Sequence, residues 1–148
     1  MKNSSSLLLL ILTAAAPTAL TACPTASKAE QEADLVRQHE RVRDLVARAD
    51  LIVEARATAS PSRRASEFDV TLTLKGKPQS KLSLSWNDSM TVGCRPSDSF
   101  EDVHINGGTT YLLYVRSGKL LRAALTDRRE GELEQKDEEA LIRKQATP

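Results

Sequence analysis

The chain has 148 residues, enough for one ordinary domain, and only 3% of them are aromatic, so a core must rest on Val, Leu, Ile and Ala. Twenty-one Lys and Arg against 20 Asp and Glu leave a formal charge of +1. That balance offers no basic surface for nucleic acid or anionic lipid, and neither partner is expected.

The amino terminus carries Lys2, serines at 4–6 and an apolar run at 7–16. A charged start followed by a short hydrophobic stretch is the layout of a secretion signal. About ten apolar residues fall short of the roughly 20 that a membrane-spanning helix needs. Leu20-Thr21-Ala22-Cys23 then resembles the bacterial lipobox: an apolar branched residue, two small ones and the cysteine whose thiol takes a diacylglyceryl group. The resemblance implies cleavage between Ala22 and Cys23, lipidation of Cys23, and a membrane partnership made through that lipid. Pro24 is not the aspartate associated with inner-membrane retention, so the outer membrane, facing the periplasm, is the expected address. Two alternatives stay open. Ordinary cleavage after Ala14-Ala15-Ala16 would leave Pro17 at the new terminus, and Cys23 could instead pair with Cys94 in an unlipidated exported protein. Removing residues 1–22 takes away one charge, that of Lys2, and brings the remainder to neutrality.

Residues 23–26 read as a tether. Ser27-Lys28-Ala29-Glu30 forms a capping box, and 27–49 then runs without Gly or Pro. Leu35, Val42, Leu45, Val46 and Ala49 make one apolar stripe, with Arg37, Glu40, Arg41 and Arg43 around it. That pattern predicts an amphipathic helix packed on its own domain, with His39 in solvent.

From 50 onward the period changes to two. Strands are predicted at 51–59, at 68–74 (Phe68, Val70, Leu72 and Leu74 alternating with polar residues) and at 82–86, with a further short one near 90–94. The segment 95–108 reads as a long loop with Phe100 turned inward. A strand at 109–116 and another at 119–125 flank Ser117-Gly118 as a hairpin. Tyr111 and Tyr114 fall on opposite faces, so at most one of them is expected fully inside. A charged helix at about 130–144 and a tail complete the chain, within 127–148. Strands without intervening helices cannot make parallel crossovers. The expected fold is therefore mainly β (α+β): a small antiparallel barrel over 50–126, of five or six strands, flanked by two helices.

The middle of the chain resembles a known family. Ala49-Asp50-Leu51-Ile52-Val53-Glu54-Ala55, Phe68-Asp69-Val70 and Leu74-Lys75-Gly76 are similar to the opening of bacterial domains related to tissue inhibitors of metalloproteinases. Cys94, Phe100, Gly107-Gly108, Tyr111-Leu112-Leu113-Tyr114 and Gly118-Lys119-Leu120-Leu121 continue the likeness over about 44–124. The resemblance implies a netrin-like domain with an OB-fold barrel. Gly76 and Gly107-Gly108 would supply φ freedom at turns. In that family the equivalent of Cys94 commonly pairs with a cysteine after the last hairpin strand, where this chain has Arg122-Ala123-Ala124-Leu125. Cys94 is then a free thiol or an intermolecular partner, with an inert buried thiol the preferred reading. Protease inhibition is not carried over. Acylation would consume the amine of Cys23, and Cys23-Pro24-Thr25 lacks the Cys-x-Cys start.

Chemistry is sparse. His39 and His104 are the only histidines, and one loop cysteine with one loop histidine is too few for a closed zinc site. No metal and no cofactor is expected, and no phosphate-binding glycine loop or nucleophile elbow occurs. The expected function is a lipid-anchored, non-catalytic binding or scaffolding module of the bacterial cell envelope, with an envelope protein as a candidate partner. Its contact region is the loop carrying Arg95, Phe100, Glu101, Asp102 and His104. The alternative is a small envelope enzyme with Cys94 as nucleophile, His104 as base and Asp98 or Asp102 as orienting group.

Overall fold

The structure is a computed structural model, and it describes residues 23–59, 61, 66–91 and 93–146. The secretion signal and Ala22 lie outside the described residues.

Helix α1 spans Lys28–Arg48. Ser27 caps it as the capping box requires: Glu30 N donates to Ser27 Oγ, and Glu30 Oε2 accepts from Ser27 N at 2.9 Å. At the other end Lys75 Nζ donates to the carbonyls of Val46 and Ala49, both at 2.6 Å, placing a cation on the negative end of the helix. Five strands follow: β1 (Leu51–Ala57), β2 (Ser66–Lys75), β3 (Lys81–Leu84), β4 (Thr110–Arg116) and β5 (Lys119–Leu125). Helix α2 covers Gln135–Ala146.

The strands form one sheet in the order β3-β2-β1-β4-β5, and every neighbouring pair is antiparallel. Register shifts in the β1–β2 and β4–β5 pairs help the sheet curl. Just past β3, Ser85 meets Lys119 in a single parallel bridge, so the two edges touch at one end of a partly open barrel. Ser117 and Gly118 both have positive φ, the two-residue turn whose twist suits a hairpin, and Asp50 Oδ2 accepts from Ser117 N at 2.9 Å.

Both faces of the sheet are covered. Inside the curl, Val53, Ala55, Phe68, Leu84, Trp86, Tyr111 and Leu113 pack with Val103 and Ile105 from the long loop. Outside it, Ile52, Leu112, Tyr114 and Ala124 pack against Val42, Leu45 and Val46 of α1, Ile142 of α2 and Leu133. This double covering corrects the expectation that one tyrosine at most would be fully inside. Tyr111 is 1% exposed and Tyr114 0%, one in each core.

Other expectations shift locally. The stretch 90–94 forms no strand among the described residues, and the described residues from 86 to 109 form one long connection. The last helix begins at Gln135 rather than near 130. His39 is half-buried, its Nδ1 2.7 Å from the carbonyl of Leu35. Gly107 is required by close approach: a Cβ there would lie 2.3 Å from the Ala59 carbonyl oxygen, while Gly108 takes the positive φ. No helix among the described residues is long and apolar enough to cross a membrane.

Candidate functional site

Cys23 and Cys94 are joined by a disulfide, with Cα atoms 5.3 Å apart. This corrects the reading of Cys94 as an inert buried thiol, since it is bonded and its residue is exposed. The reading failed because sequence alone could not bring position 23 to position 94. Helix α1 does so, by laying its amino-terminal end against the loop after Cys94. Asp34 is the clasp. Its carboxylate accepts from Ser97 N at 3.3 Å and from Ser97 Oγ, from Arg37 Nη2 at 2.9 Å and from Gln38 Nε2 at 2.9 Å. Burial pushes the Asp34 carboxyl up, but these donors outweigh it and hold the group below its ordinary value. Gln38 extends the clasp, donating to Gly131 O and accepting from Leu133 N.

The five loop residues anticipated as a contact region divide in two. Arg95 pairs with Glu30 at 3.0 Å and Glu101 with Arg48 at 3.1 Å, so both fasten the loop to α1. Phe100, Asp102 and His104 instead line a cleft of about 470 Å³ between the loop and β5. Asp102 holds Thr91 across the mouth, its Oδ1 accepting from Thr91 Oγ1 at 2.9 Å. His104 lies 3.1 Å from Asp88 and is largely exposed. The alternative nucleophile–base pair is not assembled: the Cys94 sulfur is bonded to Cys23, and His104 faces Asp88.

The opposite wall is β5, which presents Arg122, Ala123, Ala124 and Leu125, with Tyr111 deeper in. Arg122 is buried, its guanidinium 3.7 Å from the centroid of the Phe100 ring, and its Nε donates to the Phe100 carbonyl at 2.7 Å. Arg122 Nη1 and the Tyr114 hydroxyl both donate to Oε1 of Glu138, which is 0% exposed. Arg128 Nη2 reaches the other carboxylate oxygen at 2.8 Å. Burial and the neighbouring Glu138 charge push the Tyr114 hydroxyl far above its usual range, so it stays protonated and donates.

Comparison with protein-family models, curated proteins and solved structures gives no match.

The reading of the cleft therefore rests on its own geometry. Among the described residues, no three His, Cys, Asp or Glu side chains gather where a metal ion could be held. The Arg122–Glu138–Arg128 cluster escaped the sequence reading, although a signal for it exists. Glu138 shares a helical face with Leu141 and Ile142, and Arg122 alternates onto the same strand face as Ala124, the face beneath the helices. A charge on each apolar stripe is the mark of a buried pair.

Proposed function

We propose that this protein is a non-catalytic binding or scaffolding module that works in the bacterial cell envelope, with the cleft between β5 and the 89–106 loop as its contact region. The Cys23–Cys94 bridge carries the reading, because such bonds persist in the oxidising space outside the cytoplasm and are rare within it. The apolar run at 7–16 supports the same address. The cleft lies within the size range of small-molecule sites, and mixed apolar and polar walls suit binding. The sheet order, with β3 meeting β5 in parallel, supports the OB-type barrel and the netrin-like resemblance.

Lipid anchoring is a second reading, favoured by Leu20-Thr21-Ala22-Cys23. Each buried methylene contributes about 0.8 kcal/mol, so two or more acyl chains on Cys23 would hold the domain on a membrane. One sulfur cannot carry both a thioether and a disulfide. The bridged and lipidated chains are distinct covalent forms, and both lie outside the cytoplasm.

Fractionation of a Gram-negative host expressing the chain, followed by intact mass and thiol labelling, tests the proposal. The bridged form is expected in the periplasm, shorter than the full chain, with Cys23 retained and without a reactive thiol. A heavier, membrane-bound chain with a labelled Cys94 would establish the anchored form. A full-length cytoplasmic chain with two free thiols would overturn both.

A further inference from the structure

The geometry points to the cleft as a site for a small monocarboxylate with an apolar body, its carboxylate held by Arg128. The inference rests on reading that cleft as the contact region. It starts from a charge that the fold leaves over. Arg122, Arg128 and Glu138 are 5%, 9% and 0% exposed at their side chains, so three charges are buried and they sum to one positive. Buried charges are ordinarily paired, because the desolvation of a lone one is costly.

The surplus belongs to Arg128. Arg122 is spent on the Phe100 carbonyl, on Glu138 and on the Phe100 ring. Arg128 gives one N–H to Glu138 through Nη2, while its Nε is buried without an acceptor. Burial disfavours its charged form, Glu138 favours it, the like charge of Arg122 disfavours it, and Glu132 on the cleft wall favours it again, with burial prevailing. Arg128 also lines the cleft, so an entering anion meets the edge of a fixed planar fork whose Nε still lacks an acceptor.

The rest of the lining sets the ligand class. Ala123, Ala124, Leu125 and Phe100 offer apolar surface, and Met90 stands 82% exposed at the edge. The carboxylates on the cleft are engaged: Asp102 with Thr91, and Glu132 with the backbone N–H of Arg129. A buried guanidinium with an unaccepted Nε, beside apolar walls and facing the carboxylates of Asp102 and Glu132, fits one carboxylate on an apolar body better than a multiply charged, fully hydrated anion.

Sodium benzoate titrated into the isotope-labelled bridged protein, followed by amide chemical shifts, is the direct test. Saturable shifts are expected at 123–125 and around Phe100. Arg128→Gln should weaken binding by about tenfold or more, since a charge-assisted bond is lost. Arg43→Gln, which removes the same charge from an exposed position on α1, should leave it unchanged. Absence of shifts in the unsubstituted protein would overturn the site, whether or not Arg128→Gln folds. Inorganic phosphate binding as tightly as benzoate would overturn the carboxylate assignment. Benzyl alcohol or benzylamine moving the same amides as strongly would keep the cleft as a contact region and sink the anion.

Discussion

On the inner face of the sheet Phe68, Val53 and Leu113 are buried with apolar neighbours, and no charged side chain is buried among them. On the outer face, beneath the two helices, Arg122 and Glu138 are buried beside Tyr114, and Asp34 and Gln38 lock the first helix to the loop. The inner core can be filled by any shapes that fit. The outer core needs particular partners, so it fixes how the helices and the long loop sit, and with them the cleft. Buried ion pairs add little net stability over well-packed apolar groups, yet removing one partner is costly. The outer face is therefore where single substitutions should do most harm.

Glu138→Ala should show the largest effect, because it strands two buried guanidiniums. A loss of about 3–5 kcal/mol is expected by chemical denaturation. Replacing Arg122, Arg128 and Glu138 together with apolar residues of similar volume should cost much less. A triple variant as damaged as the single one would break the contrast between the faces. The next effect comes from the Cys23–Cys94 bridge, which closes a sequence separation of 71 residues. Cys94→Ser should cost about 2–4 kcal/mol relative to the bridged, unsubstituted protein. Amide exchange should rise first at the start of α1 and in the loop near Ser97, with β1 and β2 still protected. Equal loosening of both faces would count against this.

The inner face was also the more readable in sequence. Phe68 and Val70 of that face, in an alternation that runs on to Leu74 of the outer core, announce a strand, and Ser117-Gly118 announces the hairpin, because period and turn chemistry are local. The outer core could be read only for its apolar half, Val42, Leu45 and Val46. Asp34 and Gln38 lie off the apolar stripe of Leu35, Val42, Leu45 and Val46, and they are buried because residues 63 and 93 positions away supply their partners. The cleft was half visible. Phe100, Asp102 and His104 fell within the anticipated loop, but Arg128 and Glu138 come from beyond β5, and long-range pairing leaves no periodic trace.

Asp34 gives the comparison a pH signature. Its carboxyl is held below the ordinary value of 3.8, so the folded state binds its proton less readily than the unfolded chain does. Its stabilisation is full above the unfolded value and is lost as pH falls through the lower, folded one. Asp34→Ala should cost about 2–3 kcal/mol above about pH 5, where it orphans donors from Ser97 and Gln38. The gap from the unsubstituted protein should close as pH falls below 3.8. A gap constant across that range would mean that the side chain's shape, and not its charge, holds the loop.

The two tyrosines offer the finest test, since one hydroxyl serves each core. The Tyr111 hydroxyl accepts from the backbone N–H of Asn106 at 2.8 Å, and Asn106 is exposed. Water can replace that bond, so Tyr111→Phe should cost about 0.5–1 kcal/mol. Tyr114 donates to a buried carboxylate that water does not reach. Tyr114→Phe should cost about 1.5–2 kcal/mol, the range for a bond to a charged group. Paired denaturation curves measure the difference. If the two losses are equal, the outer cluster draws no extra strength from its charge, and Glu138 is held by its two arginines alone.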